Sequence, residues 1–257
     1  MTGLKITWIN INQIFIPYEK KDPMQTVILA GGKGARLNPY TAILPKPLVP
    51  VGEYPILEII IRQLKKCGIE DLIISTGHLA QLIESYFGDG RRLGVKIRYV
   101  KEAKPLGTAG AIGIIDGLKD NFIVMNGDIL TTLNYKRLFD FHLAKKGLAA
   151  IGITRRLIKD EYGVIEVGRN SELGNYIEKP THSFYVSMGV NVLNIRCRDY
   201  IERNESIGMP ELFLRIKKDK KKVYCYENRD FWLDIGRIED FRAAQEVFIN
   251  NKHKFIK

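Results

Sequence analysis

A glycine-rich loop that directly follows a short apolar run is the feature that most restricts the fold of this chain. Residues 26–30 read Thr-Val-Ile-Leu-Ala, and Gly31, Gly32 and Gly34 come next. The β-branched run predicts a buried strand, and the glycines predict a sharp turn at its end. Without a Cβ, the backbone can present successive N–H groups to an anion. We therefore expect Ala30 and the three glycines to form a phosphate-binding loop.

Two permanent positive charges follow this loop. Arg36 stands just after the last glycine, and Lys46 follows in Leu-Pro-Lys-Pro-Leu. A planar guanidinium and a compact ammonium group suit phosphate oxygens whose charge must be held while bonds rearrange. The alternative is a tight turn with incidental basic residues. The presence of Pro39 and Thr41 in the same segment favours a nucleoside triphosphate site, with Arg36 and Lys46 as catalytic residues.

Two common phosphate-binding motifs do not match this loop. A dinucleotide-binding fingerprint requires a third glycine at the position of Leu37. A Walker A loop requires Gly-Lys followed by Ser or Thr, whereas Gly32-Lys33 is followed by Gly34. The loop therefore belongs to another kind of nucleotide site.

Short apolar strands alternate with amphipathic helical stretches along residues 24–147, which predicts a mainly parallel sheet with helices on both faces. The pattern places strands at 26–30, 69–76, 95–100 and 122–126, and helices at 55–68, 79–87 and 109–118. Five strand-like segments then predict an added lobe over the carboxyl edge of the sheet, at 149–155, 163–167, 176–178, 186–194 and 223–226. We predict an α/β, Rossmann-like fold with a smaller β lobe, forming one domain over residues 24–257 that is divided at residue 148.

Composition is consistent with a compact enzyme. The chain has 257 residues, of which 45% are hydrophobic, so it can bury a substantial core as one domain. The net charge of +11 raises the question of nucleic acid, but the basic residues are scattered or lie in a late run at 217–222, which suits a solvated helix end. Small polyanionic substrates also favour a basic surface. We expect no nucleic-acid partner.

Cysteine usage and apolar runs restrict the cellular setting. The three cysteines are far apart, which indicates neither a zinc site nor a disulfide framework. No apolar run approaches the roughly 20 residues that span a bilayer. We expect a cytoplasmic protein with no membrane partner. Residues 1–23 are apolar but interrupted by polar residues. We expect either that translation starts at Met24 or that residues 1–23 form a loosely attached N-terminal extension.

The segment from Gly31 to Thr41, followed by Lys46-Pro47, resembles the N-terminal signature of the sugar-1-phosphate nucleotidyltransferases: Gly-Gly-x-Gly-[Thr/Ser]-Arg-Leu-x-Pro-x-Thr with a downstream Lys-Pro. Ala35 replaces the usual hydroxyl residue, which removes one possible side-chain contact to phosphate. The resemblance runs from about residue 24 to about residue 248. It is to the short, single-domain members, such as mannose-1-phosphate and heptose-1-phosphate guanylyltransferases, and it implies that residues 148–257 contain the sugar-binding lobe and a C-terminal helix.

Two aspartates are candidate metal ligands. Asp128 follows a predicted buried strand, and Mg²⁺ prefers a few hard oxygen ligands together with substrate phosphates. Asp234 resembles the second metal-binding aspartate of the family. A single aspartate at a strand end is often only a turn former, which remains the alternative. Glycosyltransferases of a related architecture typically use an Asp-x-Asp motif. Asn126 prevents such a motif with Asp128, so sugar transfer is disfavoured as the reaction.

The resemblance also assigns residues to the two substrates. Glu102, Gly107 and Thr108 lie in a segment similar to the second nucleotide loop of the family. A carboxylate only accepts hydrogen bonds, and guanine offers two adjacent donors, so Glu102 favours guanine over uracil or thymine, although it could instead be solvated. The residues that the resemblance assigns to the sugar phosphate are Gly163, Glu178, Lys179 and Ser187.

These residues imply a direct in-line attack by a sugar-1-phosphate oxygen on the α-phosphorus of a nucleoside triphosphate, with release of pyrophosphate. Mg²⁺ is the expected cofactor and GTP the favoured nucleotide, while UTP, dTTP, CTP and ATP stay open. A homo-oligomer is plausible. The alternative from another class is a regulatory subunit that binds a nucleotide-sugar without making it. The full charged set of Arg36, Lys46, Asp128, Lys179 and Asp234 argues for the enzyme.

Overall fold

The computed structural model describes residues 24–256, so the expectations for residues 1–23 lie outside the described part of the chain. Within it, thirteen strands and six α-helices follow one another in this order: β1 (Gln25–Ala30), β2 (Pro50–Val51), β3 (Tyr54–Pro55), α1 (Ile56–Lys66), β4 (Asp71–Thr76), α2 (Ala80–Phe87), β5 (Lys96–Lys101), α3 (Gly107–Gly113), β6 (Asn121–Asn126), β7 (Ile129–Thr131), α4 (Tyr135–Lys145), β8 (Ala149–Lys159), β9 (Val164–Val167), β10 (Leu173–Ile177), β11 (Thr181–Asn194), α5 (Met209–Lys218), β12 (Val223–Asn228), β13 (Trp232–Asp234) and α6 (Ile238–Phe255).

Seven strands form the central sheet in the order β12-β8-β11-β6-β1-β4-β5. Strands β6, β1, β4 and β5 are parallel, β11 is antiparallel to both β6 and β8, and β12 is parallel to β8. Two antiparallel steps restore the direction, so β8 runs the same way as β1. The strands β1, β4, β6 and β8 therefore end at the same edge, which we call the carboxyl edge. The predicted α/β fold is confirmed.

Helix α1 shows how local sequence and packing agree. Its apolar residues, at the spacing of one helix face, have no more than 2% of their surface exposed: Ile56, Leu57, Ile60, Ile61 and Leu64. Gly68 follows the helix with a φ of 77°, and the Ile69 N–H donates to the Leu64 carbonyl oxygen over 3.0 Å. This left-handed cap ends the helix where the glycine predicts. The helix expected at 109–118 begins earlier, at Gly107, and already ends at Gly113; Gly117 adopts a φ of 67° in the turn that follows.

The added β lobe is smaller than the sequence pattern suggests. Strand β12 and the parts of β8 and β11 over residues 149–154 and 186–194 belong to the central sheet. Only residues 155–185 extend beyond it, as the outer parts of β8 and β11 with the hairpin β9–β10 between them. We call residues 155–185 the arm. A strand pattern indicates extended backbone, whereas the sheet that the strand joins depends on partners distant in sequence.

His142 is the one buried histidine among the described residues. It lies in α4 with 2% of its surface exposed, and its Nε2 is 3.0 Å from Asn121 Oδ1. Burial disfavours the charged imidazolium and lowers the pKa of His142 to about 4. This environment suits a packing role.

The low pKa of His142 predicts a loss of stability in mild acid. An unfolded histidine has a pKa of about 6.5, so below that pH the unfolded state binds the proton more readily than the folded state. We expect the free energy of unfolding to fall by about 2 kcal/mol from this group between pH 7 and pH 5. Urea unfolding at both pH values should show a smaller acid loss for His142→Gln than for the wild type. Equal losses would contradict the prediction.

Candidate active site

The glycine loop after β1 is held by the segment that carries Lys46. Gly34 has a φ of 64°, and a Cβ on it would lie 2.9 Å from Thr41 Cγ2 and 3.1 Å from Lys46 Cβ. The buried Thr41 hydroxyl donates to the Gly34 carbonyl oxygen over 2.9 Å. Glycine is therefore required at position 34 both for its backbone angle and for lack of space. Thr41, the threonine of the sequence signature, therefore holds the loop in place through this hydrogen bond.

The same loop approaches the end of β4 and the segment after β5. A Cβ on Gly31 would lie 2.8 Å from Glu102 Oε1, and a Cβ on Gly77 would lie 2.7 Å from the Gly31 carbonyl oxygen. Glu102 is held from two sides: Ser75 Oγ donates to Oε1 over 2.8 Å, and the Leu106 N–H donates to Oε2 over 3.0 Å. The two predicted nucleotide loops thus meet at the carboxyl edge.

The second loop leads into α3 and is tied to α5. Gly107 has a φ of 73°, and a Cβ there would lie 2.6 Å from the Ile207 carbonyl oxygen. Thr108 Oγ1 accepts a hydrogen bond from the Met209 N–H over 2.8 Å. Both residues therefore position the loop against the segment before α5.

A cavity of about 280 Å³ lies between the two loops. Eight residues predicted from sequence form part of its wall: Ala30, Gly31, Gly32, Lys46, Glu102, Gly107, Thr108 and Asp128. Gly34 is not among the residues that line this cavity, but its contacts hold the loop that does. Residues up to about 100 positions apart in the chain converge here because they lie at the ends of β1, β5 and β6 or in the segments after these strands, which end at the carboxyl edge.

Lys46 and Asp128 form an ion pair at the cavity, with 13% and 21% of their side chains exposed. Lys46 Nζ pairs with Asp128 Oδ2, whereas Oδ1 is buried and has no hydrogen-bond partner in the described part of the chain. The Gly127 N–H donates to the Leu29 carbonyl oxygen over 2.9 Å and fixes the turn before Asp128. A buried carboxylate oxygen without a donor is suited to a cation.

Asp234 is brought beside Asp128 by a pair of short strands. In β13 it is the register partner of Ile129 in β7, and the next residue, Ile235, donates its N–H to the Asp128 carbonyl oxygen over 3.0 Å. Burial raises the pKa of Asp234, the charge of Asp128 raises it further, and Lys46 and Arg36 oppose both effects. Two carboxylates and two cations therefore share one electrostatic environment.

Arg36 reaches the same place from the glycine loop. Around the position of a Cβ on Gly236, Arg36 Nη2 lies at 3.7 Å and Asp234 Oδ2 at 3.6 Å. Both residues line a second cavity, of about 670 Å³, at the base of the arm. Four further arginines, which no sequence motif singled out, contribute to its wall: Arg155, Arg156, Arg229 and Arg237. In the sequence, only the adjacency of Arg155 and Arg156 at the start of the arm points to these four arginines.

The residues assigned to the sugar phosphate are separated. Ser187 lines a third cavity, of about 450 Å³, which shares Leu29, Thr108 and Asn126 with the first. The wall of this third cavity includes Asn191, whose buried Oδ1 has no hydrogen-bond partner among the described residues and which sequence reasoning missed.

Gly163, Glu178 and Lys179 lie on the arm, outside these three cavities. Glu178 Oε2 accepts from the Tyr176 hydroxyl over 3.2 Å, and a Cβ on Gly163 would lie 2.4 Å from the same hydroxyl oxygen. The Tyr176 hydroxyl therefore connects Gly163 with Glu178, and none of the three residues lines the cavity that contains Asp128. Their contact with a sugar phosphate stays a prediction.

A mostly parallel α/β sheet with a glycine loop and two neighbouring carboxylates at its carboxyl edge is typical of nucleotide-binding enzymes. Comparison with known proteins identifies the family. A family profile described as nucleotidyl transferase matches residues 25–251, and this chain belongs to that family. The sequence-based recognition of the chain as a sugar-1-phosphate nucleotidyltransferase enzyme is confirmed.

Three relatives illustrate the match. Identity is 32% to a D-glycero-alpha-D-manno-heptose 1-phosphate guanylyltransferase from Aneurinibacillus thermoaerophilus, over 87% of this chain and 97% of the relative. It is also 32% to a UTP–glucose-1-phosphate uridylyltransferase from Synechocystis sp., over 91% of this chain but only 66% of the relative. The crystal structure of HddC from Yersinia pseudotuberculosis has a TM-score of 0.68 and 26% identity, covering 88% of this chain and 99% of that one.

Proposed function

We propose that this enzyme transfers a guanylyl group from GTP to a heptose- or mannose-type sugar 1-phosphate and releases pyrophosphate. The observation that carries the proposal is the Lys46–Asp128 pair at the wall of a cavity between the two nucleotide loops. The relative that this chain spans almost completely is named as a heptose 1-phosphate guanylyltransferase.

Each part of the site has a separate task in this reaction. The amides around Gly31 and Gly32 and the cations Arg36 and Lys46 bind the triphosphate and stabilise the charge that develops on the departing pyrophosphate. The sugar-1-phosphate oxygen is already ionised, so it attacks the α-phosphorus in line without a general base. Catalysis then arises from alignment and charge stabilisation.

Asp128 and Asp234 would hold the Mg²⁺. The free, buried Oδ1 of Asp128 and the neighbouring carboxylate of Asp234 provide two hard oxygen ligands. No group of three or more His, Cys, Asp or Glu with metal-binding geometry occurs within residues 24–256. Mg²⁺ suits such a site because it takes one or two carboxylates and completes its shell with phosphates and water. When bound, the ion would neutralise and orient the reacting phosphates.

Glu102 supports guanine as the base. Each of its two oxygens accepts one hydrogen bond from the chain, from Ser75 and from Leu106. These bonds hold the carboxylate in the wall of the cavity. A carboxylate has about four acceptor positions, so each oxygen can still accept from guanine N1–H or the N2 amine. Uracil and thymine present only one such donor.

The decisive assay is pyrophosphate release with Mg²⁺, testing GTP, UTP, CTP, dTTP and ATP against mannose, glucose and heptose 1-phosphates. Release that requires GTP and a heptose or mannose 1-phosphate together would support the proposal. Release with another pair would replace the base or the sugar. Nucleotide-sugar binding without release by any pair would identify a non-catalytic subunit.

Glu102→Gln tests the base preference. One acceptor becomes an NH₂ donor facing a guanine donor, so we expect kcat/KM for GTP to fall about 10- to 100-fold while that for UTP changes little. Steady-state kinetics with both nucleotides provides the measurement. An equal fall for both would show that Glu102 only holds the loops together. Glu84→Gln, at a half-buried position of α2 outside the cavity, is the matched control.

We also propose a reducing, cytoplasmic setting. Cys67, Cys197 and Cys225 are all unpaired thiols in the structure. Separately, none of the described helices is long and apolar enough to cross a membrane.

A further inference from the structure

A cluster of positive charge lies at the edge of the central sheet opposite the carboxyl edge. Three neighbouring strands meet there: β8 begins at Ala149, β12 begins beside it at Val223, and β11 ends on its other side at Asn194. A cavity of about 390 Å³ opens next to these strand ends. Five exposed cations from three separate segments of the chain line this cavity, which we call the basic pocket: Lys146, Arg196, Lys220, Lys221 and Lys222.

Hydrogen bonds hold the backbone around the basic pocket. The Leu148 N–H donates to the Lys222 carbonyl oxygen over 2.9 Å, and the Asn194 N–H donates to the Leu148 carbonyl oxygen over 2.9 Å. Gly147 permits this close approach, since a Cβ on it would lie 2.8 Å from the Tyr224 ring and 2.9 Å from the Lys222 carbonyl oxygen. The three segments that carry the cations therefore have fixed backbone positions relative to one another.

Neighbouring carboxylates do not neutralise these cations. Within residues 24–256, none of the five forms an ion pair. Asp199 is the one acidic residue described in the wall, and the nearby Asp219 instead accepts a hydrogen bond from the Tyr200 hydroxyl over 2.6 Å. The C-terminal ends of α4 and α5 lead into the pocket and together add about one negative charge. A net positive charge of about three therefore remains in the pocket.

Two of the lysines occupy backbone positions that usually belong to glycine or asparagine. Lys146 follows α4 with a φ of 52°, and Lys220 follows α5 with a φ of 57°. A longer side chain strains this left-handed conformation at the end of a helix. The helix dipole favours a cation at both places, but it does not account for Arg196, Lys221 and Lys222, which lie outside the α-helices. Both caps thus contribute charge to the pocket at a conformational cost.

The size and charge of the basic pocket favour a small polyanion as its ligand. Its volume falls in the range of small-molecule sites, which begins at about 300 Å³. Linked phosphate groups carry several charges within a few ångströms, so one compact molecule can meet cations from all three segments at once. A nucleic acid or an anionic membrane would instead spread its charge over a longer or flatter surface.

We propose that the basic pocket binds a compact anion with two or more linked phosphate groups, at a site separate from the active site. Strand β8 runs from Ala149 at the pocket to Thr154 in the wall of the second cavity, and five steps of about 3.3 Å amount to roughly 17 Å. The two places are therefore distinct. The proposal holds for any substrate pair of the enzyme, so it does not rest on the proposed function.

The test is isothermal titration calorimetry of the full chain with inorganic tripolyphosphate, at physiological ionic strength and without divalent cations. We expect tripolyphosphate to bind at least about tenfold more tightly than inorganic phosphate. Because the active site also has groups suited to a triphosphate, hydrogen exchange in the same mixture locates the ligand. It should protect amides at 145–149, 195–200 and 219–223 in addition to those of the glycine loop.

Two variants remove charge from the basic pocket. Asparagine tolerates the left-handed backbone, so Lys146→Asn/Lys220→Asn should lose the protection at the pocket while its unfolding temperature stays the same or rises. A purely structural role of the two lysines predicts a lower unfolding temperature instead. Arg196→Gln/Lys222→Gln changes neither cap and should show the same loss of protection.

Lys217→Gln/Lys218→Gln is the matched control, since it removes the same charge from the end of α5 outside the pocket wall. It should keep the protection and bind tripolyphosphate within about twofold of the wild type. An equal loss in the control would show general electrostatic attraction only and would overturn the proposal. A wild type without protection at the pocket would also overturn it. So would pocket-dependent binding of a single-stranded RNA or of phosphatidylglycerol vesicles without binding of tripolyphosphate.

Discussion

Asp128→Asn should lower Mg²⁺-dependent pyrophosphate release by at least about a thousandfold while leaving the fold intact. The amide keeps the size of the side chain but removes its negative charge, and Lys46 then faces a neutral group. The buried Oδ1 position, which has no donor from the described chain, would no longer offer a charged ligand to a cation. Initial rates at saturating substrates, together with a thermal unfolding curve for each protein, provide the measurement.

Asp140→Asn is the matched control for this change. Asp140 also pairs with a lysine, Lys136, but on the exposed surface of α4, where 53% of the Asp140 side chain is accessible. An exposed pair contributes at most about 1 kcal/mol, so this variant should keep its activity and nearly all its stability. Unchanged turnover in Asp128→Asn would remove Asp128 from the mechanism. If the unfolding temperature of Asp128→Asn falls so far that unfolding accounts for the lost activity, Asp128 has a structural role instead.

Lys46→Met should lower turnover about 100- to 1,000-fold and move the acid limb of the pH–rate profile to higher pH. The thioether keeps much of the length of the side chain without its charge. Lys46 opposes the rise in the pKa of Asp234 that burial and Asp128 cause. Without this cation, the pKa of Asp234 rises further, so Asp234 takes up a proton at a higher pH and would no longer hold the proposed Mg²⁺ there.

The shift in pH dependence separates this electrostatic role from simple loss of packing. Lys136→Met removes a lysine from the exposed Lys136–Asp140 pair and should leave the profile unchanged. Because the folded pKa of Asp234 lies above its ordinary value, activity should fall as pH decreases through that pKa in both proteins. A Lys46→Met enzyme with reduced turnover but the wild-type acid limb would contradict the coupling between Lys46 and Asp234.

Sequence reasoning succeeded where local backbone chemistry decides the outcome. The glycine loop, the strand before it and the end of α1 at Gly68 follow from residues within a few positions, and the structure confirms them. The expected convergence at the carboxyl edge depends only on parallel strands ending together. Eight predicted site residues therefore line one cavity.

Contacts between segments that are distant in the chain could not be predicted from the sequence. No local signal marks Ser75, because its contact with Glu102 depends on the pairing of β4 with β5. Asn191 and the arginine pair 155–156 carry no motif, and only the cavities that they line place them at the site. The sequence pattern predicts a larger added lobe than the structure has, because the pattern in β8 and β11 cannot reveal which half joins the central sheet.

The amino-acid sequence by itself determined the α/β class, the family and the glycine loop, because these depend on periodicity and on short-range backbone geometry. Tertiary structure decided that Asp234 stands beside Asp128, through a pairing of β7 and β13 across about 100 residues. It also decided that the arm stays outside the core while Lys46 is drawn into an ion pair. Such outcomes depend on which surfaces are buried against one another, and burial is a property of the folded chain as a whole.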